Sequence, residues 1–129
     1  NSIAPGKRPL SSMTPTIVLK ENKPFLVIGS PGGSTIITTT MQTILNVIDY
    51  EMDIKEAVCA PRFHSQWLPD VIQIEPRGLT KDVLINLKSR GHEVIYRGGY
   101  IGESNGIMIT DEGLFGGGDC RGETSAIGY

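Results

Sequence analysis

"SSMTPTIVLKENKPFLVIGSPGGS", Ser11 to Ser34, is the stretch on which the fold turns. Two apolar, β-branched runs, Thr16–Lys20 (TIVLK) and Phe25–Gly29 (FLVIG), flank Glu21-Asn22-Lys23-Pro24. Such runs around a short polar segment bearing Asn and Pro predict a β-hairpin. The second run is apolar enough for a strand buried on both faces. Gly29 to Ser34 then breaks the strand pattern. From there Ile37, Met41, Ile44, Leu45, Ile48 and Met52 recur at helical spacing and predict one apolar helix face. The Thr38–Thr40 run works against a helix, because β-branching restricts χ1, but the periodic face outweighs it.

Downstream, Asp53 followed by Glu56 predicts a capping box opening a short helix that ends before Pro61. Val71–Glu75 alternates as a strand does. Thr80–Arg90 places Val83, Leu84 and Leu87 on one helix face and stops at Gly91. Glu93–Arg97 predicts another strand. Asn105–Thr110 and Leu114–Gly116 predict a last hairpin over Asp111-Glu112-Gly113. The order β-β-α-α-β-α-β-β-β is that of an α+β fold with a mainly antiparallel sheet.

The 129 residues fit one domain, and 39% apolar with 20% charged residues support a packed core rather than disorder. A net charge of −2 gives nucleic-acid binding no electrostatic support. No apolar run approaches a membrane span. The opening Asn1-Ser2-Ile3-Ala4-Pro5 has neither a start Met nor a signal-like pattern, so the chain reads as a piece of something longer. Cys59 and Cys120 cannot build a zinc site with His64 and His92, which lack ligand spacing. A single disulfide between the two cysteines stays open, as does the redox compartment.

Three groups of residues could carry chemistry. Gly32 and Gly33 lie between a strand and a helix, where backbone can approach a ligand and free N–H groups attract negative charge. Two such N–H groups are the usual material of an oxyanion hole. The same pattern also makes an ordinary strand-to-helix turn. Ser11 and Ser12 offer two neutral hydroxyl donors that suit one carboxylate, or they are simply a polar loop. In Pro61-Arg62-Phe63-His64-Ser65-Gln66-Trp67, Arg62 suits a carboxylate, and Arg62 and Trp67 equally suit packing a long loop against the sheet. His64 reads as a hydrogen-bonded structural residue rather than a base. No G-x-S-x-G elbow is present, so an obvious nucleophile is missing.

Four segments, "PGKRPLSSMTPTIV", "GSPGGSTIITT", "MDIKEAVCAPRFHSQWLPD" and "GHEV", occur here in the order in which gamma-glutamyltranspeptidases, or glutathione hydrolases, carry them. The chain resembles the C-terminal part of that family's small subunit over nearly its whole length. The resemblance implies an N-terminal-nucleophile hydrolase with a four-layer αββα sandwich, of which residues 1–129 would supply part of one sheet and one helical layer. It implies γ-glutamyl transfer or hydrolysis through a Thr acyl-enzyme, with glutathione as substrate and no cofactor or metal. The family's oxyanion-hole glycines map onto Gly32 and Gly33, and its paired substrate-binding serines onto Ser11 and Ser12. The nucleophilic Thr, and the large subunit and N-terminal part of the small subunit that complete the site, fall outside this chain. The fragment alone is therefore expected to be inactive and to self-associate. A periplasmic or secreted location follows from the family only. A related acylase, a polyglutamate-processing enzyme and a non-catalytic binding domain are the alternatives.

Overall fold

A computed structural model describes residues 2–8 and 13–128. Thr16–Lys20 (β1) and Lys23–Gly29 (β2) pair antiparallel about a two-residue turn. The turn residues Glu21 and Asn22 both have positive φ, 52° and 63°, the combination whose twist matches the flanking strands. The turn is thus tighter than Glu21–Pro24, and Pro24 belongs to β2. Pro24 is tolerated because it sits opposite Leu19 beside an irregularity in the ladder, beyond the part of β2 that pairs on its other side.

Asn105–Thr110 (β6) pairs antiparallel with β2, and Gly113–Gly117 (β7) pairs with β6, giving a four-stranded antiparallel sheet ordered β1-β2-β6-β7. Two helices, Ile36–Ile48 (α1) and Ile54–Cys59 (α2), lie against one face. Leu26, Ile28, Val47, Ile54, Ala57 and Val58 form the buried core between these layers, flanked by Val18, Phe25, Ile44, Met52 and Met108. The α2 capping box is present as expected: the Asp53 carboxylate accepts the Glu56 N–H at 2.8 Å, and the Glu56 carboxylate accepts the Asp53 N–H at 3.4 Å.

Two glycines let α2 come close. Gly106 and Gly117 are partners in the β6–β7 register. A Cβ on Gly117 would stand 2.8 Å from the Ile54 carbonyl oxygen, and one on Gly106 would stand 3.0 Å from the Ile54 side chain.

A second, three-stranded sheet was not expected. It joins Phe63–His64 (β3), Ile72–Ile74 (β4) and Val94–Tyr96 (β5), with β3–β4 antiparallel and β4–β5 parallel. The parallel pair is connected through Lys81–Ser89 (α3), the crossover that parallel strands require. α3 ends in a Schellman arrangement at Gly91 (φ 90°): the Gly91 N–H donates to Lys88 and the His92 N–H to Leu87.

Two expectations about burial need correction. β2 is buried on one face only: Leu26 and Ile28 are enclosed, whereas Val27 faces outward. The apolar stripe of α1 also points away from the core for the most part, with Ile37, Met41, Leu45 and Ile48 exposed. The inward side carries Ile36, Thr39, Thr40, Gln42, Thr43 and Val47 instead. The reason is steric. A Cβ on Gly102 would come within 3.0 Å of three Thr39 side-chain atoms, so nothing bulkier fits between α1 and the 101–104 segment. The Thr43 hydroxyl is satisfied by the Thr39 carbonyl at 3.0 Å.

Candidate active site

β2 ends at Gly29, and the following residues form the turn that starts α1. Gly32 (φ 138°) and Gly33 (φ 59°) both occupy conformations that disfavour side chains. A single 3₁₀ turn, Gly33–Thr35, leads directly into α1. The Gly32 carbonyl accepts both the Thr35 N–H (3.1 Å) and the Thr35 hydroxyl (2.9 Å), which holds the turn closed.

The two glycines differ in their surroundings. A Cβ on Gly32 would meet the Thr35 hydroxyl at 2.7 Å and Gly102 Cα at 3.1 Å, whereas one on Gly33 would meet none of the described residues within 4 Å. Gly32 is therefore backed by protein, and Gly33 faces open space. Among the described residues no acceptor takes the N–H of either glycine. Unclaimed N–H groups at a helix start can hold an anion.

Ser11 and Ser12 lie outside the described residues. The next residue is fixed: the Met13 carbonyl accepts the Ser30 N–H at 2.9 Å. The Ser30 hydroxyl donates to the Pro31 carbonyl at 2.6 Å and accepts the Glu103 N–H at 3.3 Å. Met13 is thus tied to the end of β2, just before the glycine turn.

Behind that segment lies a buried ionic cluster. Arg62, 1% exposed, donates to Asp119 (2.7 Å) and to the carbonyls of Val58 (2.6 Å) and Ile101 (2.8 Å). Arg121 bridges Glu75 (2.5 and 2.8 Å) and Asp119 (2.9 Å) and reaches the Val58 and Ala60 carbonyls. Glu75 also accepts the N–H groups of Arg62 (2.9 Å) and Ile101 (2.7 Å), and Asp119 accepts that of Ser104 (2.7 Å). Both faces of the Ile101 peptide are thereby held, and Gly102, which follows, stands behind Gly32.

Burial alone would raise the Asp119 and Glu75 pKa values. Hydrogen bonds from Arg62 to Asp119 and from Arg121 to Glu75, reinforced by charge and backbone N–H groups, hold both below the ordinary carboxylate range. Burial pulls Arg62 down, whereas for Arg121 the two carboxylates outweigh burial and hold it above its usual value. Every described Arg62 partner is internal, so of the two readings left open from sequence the structural one holds.

The other residues singled out from sequence divide. His64 is buried; its Nδ1 meets the Thr38 hydroxyl at 2.8 Å and its Nε2 the Gln66 side-chain oxygen at 2.9 Å. The Gln66 amide donates to the Leu68 carbonyl, which orients its oxygen toward His64. A structural histidine was expected and is found. Trp67 is 79% exposed and packs no loop down. Glu75, Asp119 and Arg121 escaped sequence reading, because their partners lie up to 63 positions away and no local motif marks them. No group of three His, Cys, Asp or Glu side chains that could hold a metal occurs among the described residues.

The family model described as gamma-glutamyltranspeptidase matches residues 1–129. The chain belongs to the gamma-glutamyltranspeptidase family. It is 48% identical over 122 residues to a glutathione hydrolase proenzyme of Escherichia coli, covering 94% of this chain and 21% of that protein. It is 55% identical over 93 residues to one from a Pseudomonas species, covering 72% of this chain and 16% of that protein. Among solved structures, a Helicobacter pylori gamma-glutamyltranspeptidase variant superposes with a TM-score of 0.84 at 53% identity, covering 93% of this chain and 66% of that one. The chain thus spans about a fifth of the curated relatives it matches. The fold is that of the N-terminal-nucleophile gamma-glutamyltranspeptidases, and the expected α+β class holds.

Proposed function

We propose that residues 1–129 are the C-terminal portion of the small subunit of an enzyme that transfers or hydrolyses γ-glutamyl groups, with glutathione as a substrate. The observation that carries this reading is the Gly32-Gly33 turn, with N–H groups that no described residue claims and an open side at Gly33, in a chain of this family.

A Thr contributed by the preceding part of the small subunit attacks the γ-glutamyl carbonyl, its own α-amine serving as base. Negative charge then develops on the carbonyl oxygen. Gly32 and Gly33 donate to it through their N–H groups, each donor contributing about 3 kcal/mol to the barrier reduction. Ser11 and Ser12 donate to the α-carboxylate of the glutamyl group. Water or an acceptor amine releases the acyl-enzyme. The hydroxyl, amine and backbone donors need no metal or organic cofactor. The large subunit completes the site, and the enzyme works in the periplasm or outside the cell.

The test is turnover by the full-length protein. A γ-glutamyl anilide should be cleaved faster than an aliphatic N-acyl substrate, and changing the upstream Thr to Ala should abolish both. The reverse preference would make the protein an acylase, and unaltered turnover in the Thr variant would remove the proposed nucleophile.

A further inference from the structure

Cys59 closes α2 and Cys120 sits in the turn that follows Asp119, yet the two meet across 61 positions of chain. Cys120 Sγ lies 3.9 Å from the Cys59 carbonyl oxygen, so the two residues are in direct contact. Within residues 1–129 Cys120 is exposed and Cys59 half-buried.

The cysteines do not hold themselves together; their neighbours do. Val58, just before Cys59, accepts from both Arg62 and Arg121, and Ala60, just after it, accepts from Arg121. On the other strand of the contact, Asp119 and Arg121 flank Cys120 and are locked into the ionic cluster. Lys55 of α2 adds a 2.6 Å bond to the Gly118 carbonyl. These seven polar contacts therefore fix both backbones around two reduced thiols. Bond formation then costs little further ordering, because the chain is already placed.

We propose that Cys59 and Cys120 form a redox-active dithiol that closes to an intramolecular disulfide by exchange with a low-molecular-weight disulfide, tying the C-terminal tail to α2. The exposed Cys120 thiolate attacks one sulfur of the small disulfide and expels the other half as a thiolate. Cys59 then attacks the Cys120 sulfur of the mixed disulfide and expels the second half. Two protein thiols are oxidised by two electrons, one small disulfide is reduced to two thiols, and the two protons pass to those products. Around Cys120, the Cys59 thiol first, then burial and Asp119, favour the protonated form, while Arg121 opposes them. Exchange should therefore be slow near neutrality and accelerate with pH as the thiolate fraction rises.

The experiment incubates the full-length protein with oxidised glutathione across pH 6.5 to 9, followed by acid quench and peptide mass spectrometry. The expected result is a linked peptide pair containing Cys59 and Cys120, two hydrogens lighter than the reduced pair, formed roughly tenfold faster per pH unit below the thiol pKa. In Cys59→Ser the reaction should stop with one glutathione on Cys120. In the bridged wild type, protease cleavage after Arg121 should slow severalfold relative to Cys59→Ser kept reduced. A stable glutathione adduct on wild-type Cys120 with no bridge would overturn the proposal. So would two cysteines that stay reduced while an exposed control thiol exchanges.

Discussion

The Arg62 guanidinium and the Asp119 carboxylate meet at 2.7 Å with both side chains withdrawn from water. Asp119 also has Arg121 beside it, but without Asp119 the buried Arg62 would lose the one described carboxylate it donates to. Asp119→Ala should therefore destabilise the protein by about 3–5 kcal/mol. Chemical denaturation checks this, and a double-mutant cycle with Arg62→Met should be strongly non-additive.

Acid should act on the same cluster. Asp119 and Glu75 are held below their unfolded values. Their contribution to stability is complete above the unfolded carboxylate pKa of about 4. It is lost as pH falls from there through the depressed folded values. Midpoints of thermal unfolding should drop on acidification below that range, and the drop should shrink in a Glu75→Gln, Asp119→Asn variant.

The adjacent glycines should separate stability from turnover. Gly32→Ala meets the Thr35 hydroxyl and Gly102 and sits at φ 138°, so it should be the poorer folder. Gly33→Ala finds open space and should cost only the strain of a left-handed residue, roughly 1–2 kcal/mol. Its turnover should nevertheless fall about a hundredfold with a smaller change in Michaelis constant, because the added methyl enters the open side from which the oxyanion would approach the Gly33 N–H. Steady-state kinetics of the folded variant decide the matter; an unchanged kcat with a raised KM would remove Gly33 from that role.

Residues 1–129 expressed alone should self-associate and show no γ-glutamyl turnover. Ile37, Met41, Leu45 and Ile48 are exposed along α1, and Ile17, Leu19, Val27 and Ile107 along the sheet. Apolar patches on two sides seek cover. Sedimentation velocity checks the first half and an anilide assay the second. A monomer at high concentration contradicts the one, and measurable turnover the other.

The hairpin, both short helix ends and the glycine turn were legible because each is a local pattern. Asp53 with Glu56, Gly91 after a periodic helix, and Gly32-Gly33 after a strand state their geometry within a few residues. The inward face of α1 was not legible. Periodicity reported where the apolar residues are, but Thr39 faces the interior because Gly102, 63 positions later, leaves room for nothing larger. β3 contains two residues and exists only because Ile74 and Gln73 pair with it. The ionic cluster behind the site joins four charged residues from three separate parts of the chain, and Glu75, Asp119 and Arg121 each look like an ordinary surface charge in isolation.

Gly106 and Gly117 do more than let α2 approach the sheet. A six-residue helix is only about 9 Å long and behaves as a short rigid rod. Any side chain placed at Gly117 becomes a wedge under the end of that rod at Ile54. The far end carries Val58 and Cys59, so a lift at the sheet tips the carbonyl that Arg62 and Arg121 share and swings one thiol away from the other. A single added methyl group, 55 positions from Arg62, thus becomes a lever on the polar cluster and the cysteine pair at once.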